Sequence, residues 1–92
     1  MYTRLRAHYT AHEPGGHAKL TEQDILKILG GNIRELRSQI EISQELFALI
    51  AGLDRTYLGG VERGKRNISV KNIVKIAKAF EISPGELFKG II

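Results

Sequence analysis

Ser43-Gln44-Glu45-Leu46-Phe47-Ala48-Leu49-Ile50-Ala51-Gly52-Leu53-Asp54-Arg55-Thr56-Tyr57-Leu58-Gly59-Gly60-Val61-Glu62-Arg63-Gly64 is the stretch whose reading decides the fold. Ser43 suits an N-cap, because a short hydroxyl side chain accepts a first-turn N–H that the helix itself leaves unpaired. The helix it opens runs from Gln44 to about Ala51, and Gly52 supplies the left-handed residue that ends it. Leu53 and Asp54 then separate Gly52 from Arg55, where Asp54 caps a further helix that stops near Gly64. Leu46, Phe47, Ile50, Leu53, Leu58 and Val61 supply an apolar inner side to this pair. Gln44, Arg55, Thr56, Tyr57, Gly60 and Arg63 are left to face outward.

The flanks are helical too. From Thr21, an N-cap, apolar residues recur at Ile25, Ile28, Leu29, Ile33, Leu36 and Ile40 with the three- and four-residue spacing of one helix face. Gly30 and Gly31 interrupt that helix, each costing about 1 kcal/mol relative to alanine, so its first turns are expected to fray or bend. After a basic loop from Lys65 to Ile68, Ser69 caps a helix with Val70, Ile73, Val74, Ile76, Ala77 and Phe80 on a broad apolar face and Lys71, Lys75 and Lys78 on the other. Ser83-Pro84-Gly85-Glu86 has the pattern of a capping box with proline at the first helical position, opening a last short helix through Leu87 and Phe88. No strand is expected. The reading is all-α, with five short helices in one domain over residues 21–92 and a flexible N-terminal arm over residues 1–20.

Composition bounds the function. Ninety-two residues suffice for one small core, and 42 % hydrophobic with 26 % charged residues is the balance of a globular chain. There is no cysteine, which excludes disulfides and thiolate metal sites. Neither a leader-like apolar stretch nor an 18-residue apolar run occurs, so no membrane role and a cytoplasmic location are expected. The net charge is +4, but it is concentrated: Arg55, Arg63, Lys65, Arg66, Lys71, Lys75 and Lys78 face only Glu62 between residues 55 and 78. By itself such a run is either a solvated helix face or a polyanion site. In the arm, His8 and His12 stand four apart, with His17 beyond Gly15 and Gly16; no further ligand is near, and no metal or other cofactor is expected. Arg4 and Arg6 suit a minor-groove contact, against the plainer reading of a terminus without structure.

Two short helices at a tight turn, apolar inside and polar outside, are what a helix-turn-helix requires, since the second helix must project while the first braces it. The pattern alone also admits a helical hairpin of a protein-interaction domain. At Ser43-Gln44-Glu45-Leu46, Ala51-Gly52-Leu53-Asp54-Arg55-Thr56-Tyr57-Leu58 and Val61-Glu62-Arg63-Gly64-Lys65-Arg66-Asn67, the chain resembles the Cro/CI-type (XRE) helix-turn-helix family of transcriptional regulators. The likeness extends through Asn32-Ile33-Arg34-Glu35-Leu36-Arg37 and from Ile73 to Phe88, covering roughly residues 25–88. Within the family it is most similar to restriction-modification controller proteins, although repressors and antitoxins share much of it.

The resemblance implies a five-helix lambda-repressor-like domain and a set of roles. Arg55 and Thr56 would read base edges in the major groove, arginine through guanine O6 and N7 and threonine through the thymine methyl. Gly60 would let the helix sit deep in the groove. Gln44, Tyr57, Arg63, Lys65, Arg66 and Asn67 would hold backbone phosphates, which sets register and affinity rather than sequence preference. Arg37 and Glu62 correspond to a structural ion pair, and Ile33, Leu36, Leu46, Ala48, Leu58, Val61, Ile73 and Ile76 to core. The chain departs from the family at Gly59-Gly60, where serine is common at the first position; two helical glycines cost about 2 kcal/mol, and Gly59 has no account beyond tolerance.

With no cysteine, no phosphate loop and histidines confined to the arm, no catalytic constellation forms, and no small-molecule substrate is expected. A single recognition helix covers few base pairs, so a homodimer on a palindromic double-stranded DNA operator is expected. Ile82, Leu87, Phe88, Ile91 and Ile92 exceed the packing needs of a last short helix, and the resemblance puts a dimer interface there. The alternative is an antitoxin-like or other interaction module of the same fold.

Overall fold

The computed structural model describes residues 19–91. Among them are four α-helices and no strand: α1 (Glu22–Gln39), α2 (Gln44–Ala51), α3 (Arg55–Glu62) and α4 (Val70–Phe80), followed by a 3-10 helix at Pro84–Phe88. The fifth expected helix is therefore one tight turn of 3-10 type rather than an α-helix. The arm's Arg4, Arg6, His8, His12 and His17, and Ile92 at the other end, lie outside the described residues.

Each helix begins where a local hydrogen bond tells it to. Thr21 Oγ1 accepts from the Asp24 N–H and the Asp24 carboxylate accepts from the Thr21 N–H, both at 3.0 Å, a reciprocal pair that satisfies two orphan donors. This holds the Asp24 carboxyl below its ordinary pKa, chiefly through the Thr21 backbone donor. Ser43, Asp54 and Ser69 accept from the N–H groups of Leu46, Tyr57 and Asn72 at 3.0, 3.0 and 3.1 Å. Gly52 ends α2 at φ 73°, with Leu53 N–H reaching back to the Ala48 carbonyl at 2.8 Å. A side chain at that φ would meet its own carbonyl, which is why glycine holds the turn between α2 and α3.

Gly30 and Gly31 do not break α1, which runs unbroken past them. The reason is tertiary: Gly30 is buried, and a Cβ there would collide with the carbonyl oxygens of Val61 and Glu62. The missing side chain is the space in which the C-terminal end of α3 crosses α1.

The core is built from Leu29, Ile33, Phe47, Ala48, Ala51, Leu58, Val61, Ile73, Ile76, Ala77 and Leu87, with Phe47 stacked on Phe80 at 4.2 Å between ring centroids. Leu36 and Leu53 pack against it half-buried. Leu46 and Ile50, expected inside, are 43 % and 56 % exposed. Residues 46–51 of α2 are apolar on every side, so spacing alone allows two inward stripes; the small Ala48 and Ala51 face in with Phe47 and permit close approach of α3 and α4. Val70 and Val74 likewise lie outside, narrowing the buried face of α4 to Ile73, Ile76 and Ala77.

Asn32 closes the fold by donating from one amide nitrogen to the Leu87 and Lys89 carbonyls, both at 2.8 Å. These carbonyls leave a 3-10 helix that cannot pair them itself, and α1 thereby holds the carboxy-terminal turn in place.

Candidate nucleic-acid interface

At the N-terminal end of α3, Arg55 and Thr56 are exposed. The Asp54 cap fixes the first turn under them, so two side chains able to read base edges stand on an anchored helix start. Arg63, Lys65, Arg66 and Asn67 are exposed at the other end and in the loop beyond. Gly64 turns the chain there at φ 72°, pressed against Lys27 of α1, and its carbonyl accepts from Gln23 Nε2 at 2.9 Å. The basic loop thus leaves α3 along a defined path.

The C-terminal end of α3 is tied down by charge. Arg37 Nε donates to Glu62 Oε2 at 2.8 Å and Nη2 to Oε1 at 2.9 Å, a bidentate pair, while Nη1 donates to the Ile42 carbonyl at 2.9 Å. The Glu62 side chain is 2 % exposed and that of Arg37 16 %. The hydrogen bonds to Glu62 raise the Arg37 pKa, so the guanidinium stays charged throughout the working pH range. One guanidinium joins α1, the segment after it and the end of α3.

Gln44 is more constrained than its sequence position suggests. Its amide nitrogen donates to Glu62 Oε1 at 3.0 Å, making it the fourth contact of that cluster. An amide NH2 carries two hydrogens, so one remains able to donate at the α2 N-terminus, where backbone N–H groups already favour an anion. Beside it, Arg34, Arg37, Gln44, Glu62 and Arg63 line a cleft of about 220 Å³. Arg34 was not singled out in the sequence; it sits on the exposed side of α1 and only the packing of α1 against α3 brings it near Arg63.

Tyr57 is half-buried, its hydroxyl accepting from Asn72 Nδ2 at 3.0 Å and its ring lying beneath the Arg66 guanidinium at 5.3 Å. Asn72 also went unremarked in the sequence, since a lone asparagine in the first turn of a helix carries no signal of a partner fifteen residues away. Gly60 does not face outward as expected. It is buried, and a Cβ there would lie 2.5 Å from Arg66 Cγ, because the stem of Arg66 covers it. Gly59 is buried as well, against the ends of Gln44 and Arg63.

Of the carboxy-terminal residues expected at a dimer interface, Leu87 is completely buried in the chain's own core and so is not available to a partner. Ile82, Phe88 and Ile91 are half-buried and pack against that core. The 3-10 turn draws these side chains inward, which the count of apolar residues near the chain end does not reveal. Among the described residues, the most exposed large apolar side chains lie elsewhere, at Leu49 and Ile50 of α2 and Val70 of α4, 76 %, 56 % and 75 % exposed.

Comparison with known proteins points the same way. The helix-turn-helix family model HTH_3 matches residues 33–87. Control protein C.SmaI of Serratia marcescens is 41 % identical over 70 residues, 76 % of this chain and 83 % of that protein. The structure of the restriction-modification controller protein C.AhdI of Aeromonas hydrophila is 54 % identical, with 68 % of this chain and 96 % of that chain covered at a TM-score of 0.67. The controller protein C.Esp1396I, solved bound to a 19 base pair DNA duplex, is 34 % identical over 71 % of this chain and 87 % of that chain, with a TM-score of 0.64.

Proposed function

This chain belongs to the helix-turn-helix family HTH_3, with relatives among the restriction-modification control proteins, and from that premise we propose that it is a sequence-specific double-stranded DNA-binding transcription regulator of the controller type. The observation that carries the reading is the α2–turn–α3 unit: Arg55 and Thr56 stand free on a capped helix start, while the far end of the same helix is locked by the Arg37–Glu62 pair. Arg55 and Thr56 read bases in the major groove. Gln44, Tyr57, Arg63, Lys65, Arg66 and Asn67 hold the phosphate strands on either side, and a neutral partner would not require this concentration of cations. Gly60, lying under Arg66, serves the interface through that side chain rather than by facing a base.

The few base pairs under one short helix give too little selectivity, so the regulator acts as a homodimer on a palindromic operator with half-sites about one helical turn apart. Ile82, Phe88 and Ile91 contribute the apolar surface they leave uncovered at the carboxy-terminal end. The chain acts in the cytoplasm as a binding protein rather than an enzyme, with its DNA-binding domain over residues 21–92.

Selection of bound sequences from a random duplex library, at two salt concentrations and repeated with Arg55→Ala, tests the reading. A palindromic motif that loses its guanine preference in the variant is the expected result. Salt-sensitive retention with no motif, or a motif unchanged in the variant, overturns the assignment of Arg55 as a base reader.

A further inference from the structure

Gly59 and Gly60 are adjacent on α3, both buried, and each lies under side chains of the interface just described. A Cβ on Gly59 would sit 3.3 Å from Arg63 Nη1 and 3.3 Å from Gln44 Oε1; one on Gly60 would sit 2.5 Å from Arg66 Cγ and 3.5 Å from Arg66 Cδ. Neither glycine has the positive φ that would demand glycine, since both are in regular helix. Their cost in helix propensity is therefore not offset by any backbone requirement. What the two missing side chains provide is room for Gln44, Arg63 and Arg66 to lie flat on the helix.

We propose that Gly59 and Gly60 are positioning residues, two adjacent sockets that seat Gln44 with Arg63 and Arg66 so that these side chains meet DNA phosphates from fixed positions. At Gly60 the seating continues outward: the Arg66 stem fills the socket, its guanidinium stands over the Tyr57 ring at 5.3 Å, and Asn72 holds the Tyr57 hydroxyl at 3.0 Å. An arginine held in this way loses less side-chain freedom on meeting a phosphate than one free in solvent, so more of the contact appears as affinity. At Gly59 the Gln44 amide, already bonded to Glu62, and the Arg63 guanidinium converge over one bare backbone position. Helix stability is given up here for contact geometry.

The proposal rests on the phosphate-binding reading of Arg66, and the test separates the two. Thermal melting and duplex affinity against salt are measured for the full chain and for Gly60→Ala, Arg66→Ala and the double variant. Alanine at 60 is expected to bind duplex about threefold to tenfold more weakly, uniformly across operator sequences, with a shallower salt dependence. The double variant is expected to bind no more weakly than Arg66→Ala alone, because the socket acts only through the side chain it seats. It is also expected to melt higher than Arg66→Ala, since alanine then enters vacated space in a helix. Wild-type affinity of Gly60→Ala beside a weakened Arg66→Ala overturns the proposal; wild-type affinity and salt dependence of Arg66→Ala overturn the phosphate reading itself. Should Gly60→Ala lose its helical circular dichroism, Gly59→Ala, whose nearest neighbours are the ends of two flexible side chains, decides the matter. Reduced affinity in a variant that melts at or above the wild-type temperature supports the sockets, and unchanged affinity overturns them.

Discussion

The two ends of α3 differ in almost every physical respect. Its N-terminal end is held by the Asp54 cap and by the bond from Asn72 to the Tyr57 hydroxyl, and presents Arg55 and Thr56 to solvent. Its C-terminal end is pressed onto α1 at Gly30, and Glu62 is buried there with three side-chain hydrogen bonds from Arg37 and Gln44. The contrast teaches how a helix of eight residues, too short to be stable alone, is held rigid by its neighbours. A buried ion pair fixes one end, and at the other the cap and the Tyr57–Asn72 bond leave Arg55 and Thr56 exposed.

Removing the buried charge partner is the severest way to break this contrast. Arg37→Ala leaves Glu62 desolvated without its guanidinium and is expected to lower unfolding stability by about 3 to 5 kcal/mol, read from urea denaturation; a loss below about 1 kcal/mol would mean that the far end of α3 is held by apolar packing alone. Gly30→Ala comes next. Helix propensity predicts a gain of about 1 kcal/mol, whereas the collision with the Val61 and Glu62 carbonyls predicts a loss of about 1 to 3 kcal/mol, so the sign of the melting shift decides which effect wins, and a loss is expected.

At the open end the expectation reverses. Arg55→Ala should leave stability within about 0.5 kcal/mol of the parent chain while removing about 1 to 3 kcal/mol of discrimination between operator and base-substituted duplexes. A large drop in melting temperature would show that Arg55 is part of the scaffold. The smallest effect sharpens the capping side of the comparison: because the Thr21 backbone donor depresses the Asp24 pKa in the folded chain, the stabilisation from this cap is complete above the unfolded-state pKa and is lost as pH falls through the lower, folded value. Carboxyl titration by NMR should place the Asp24 midpoint below that of an unpaired aspartate, and a midpoint at or above it would remove the cap from the account of α1.

Much of this was legible in the chain itself. Thr21, Ser43, Asp54 and Ser69 announced four helix starts, and Gly52 and Gly64 the ends of α2 and α3, because caps and left-handed turns are bonds between residues a few positions apart. The pairing of Arg37 with Glu62 followed from resemblance, and the geometry has both oxygens of the carboxylate bonded. Leu46 and Ile50 were misplaced because a helix apolar all round has no inward side until its neighbours are present. Gly60 was misplaced for a related reason: nothing in its local pattern says that the stem of Arg66, six residues on, will lie over it.

The sequence by itself determined where helices start and stop, that the chain is all-helical around a tight α2–α3 turn, and which family it joins. Local hydrogen bonds and backbone sterics act within four or five residues, so a one-dimensional string contains them in full. Only the tertiary structure decided that Phe47, Ala48 and Ala51 rather than Leu46 and Ile50 face the core, that Leu87 is buried within the chain, and that Gly30, Gly59 and Gly60 are spaces filled by other residues. Each of those outcomes depends on which surfaces come into van der Waals contact across the fold, and close packing admits one arrangement of volumes where hydrophobic spacing admits several.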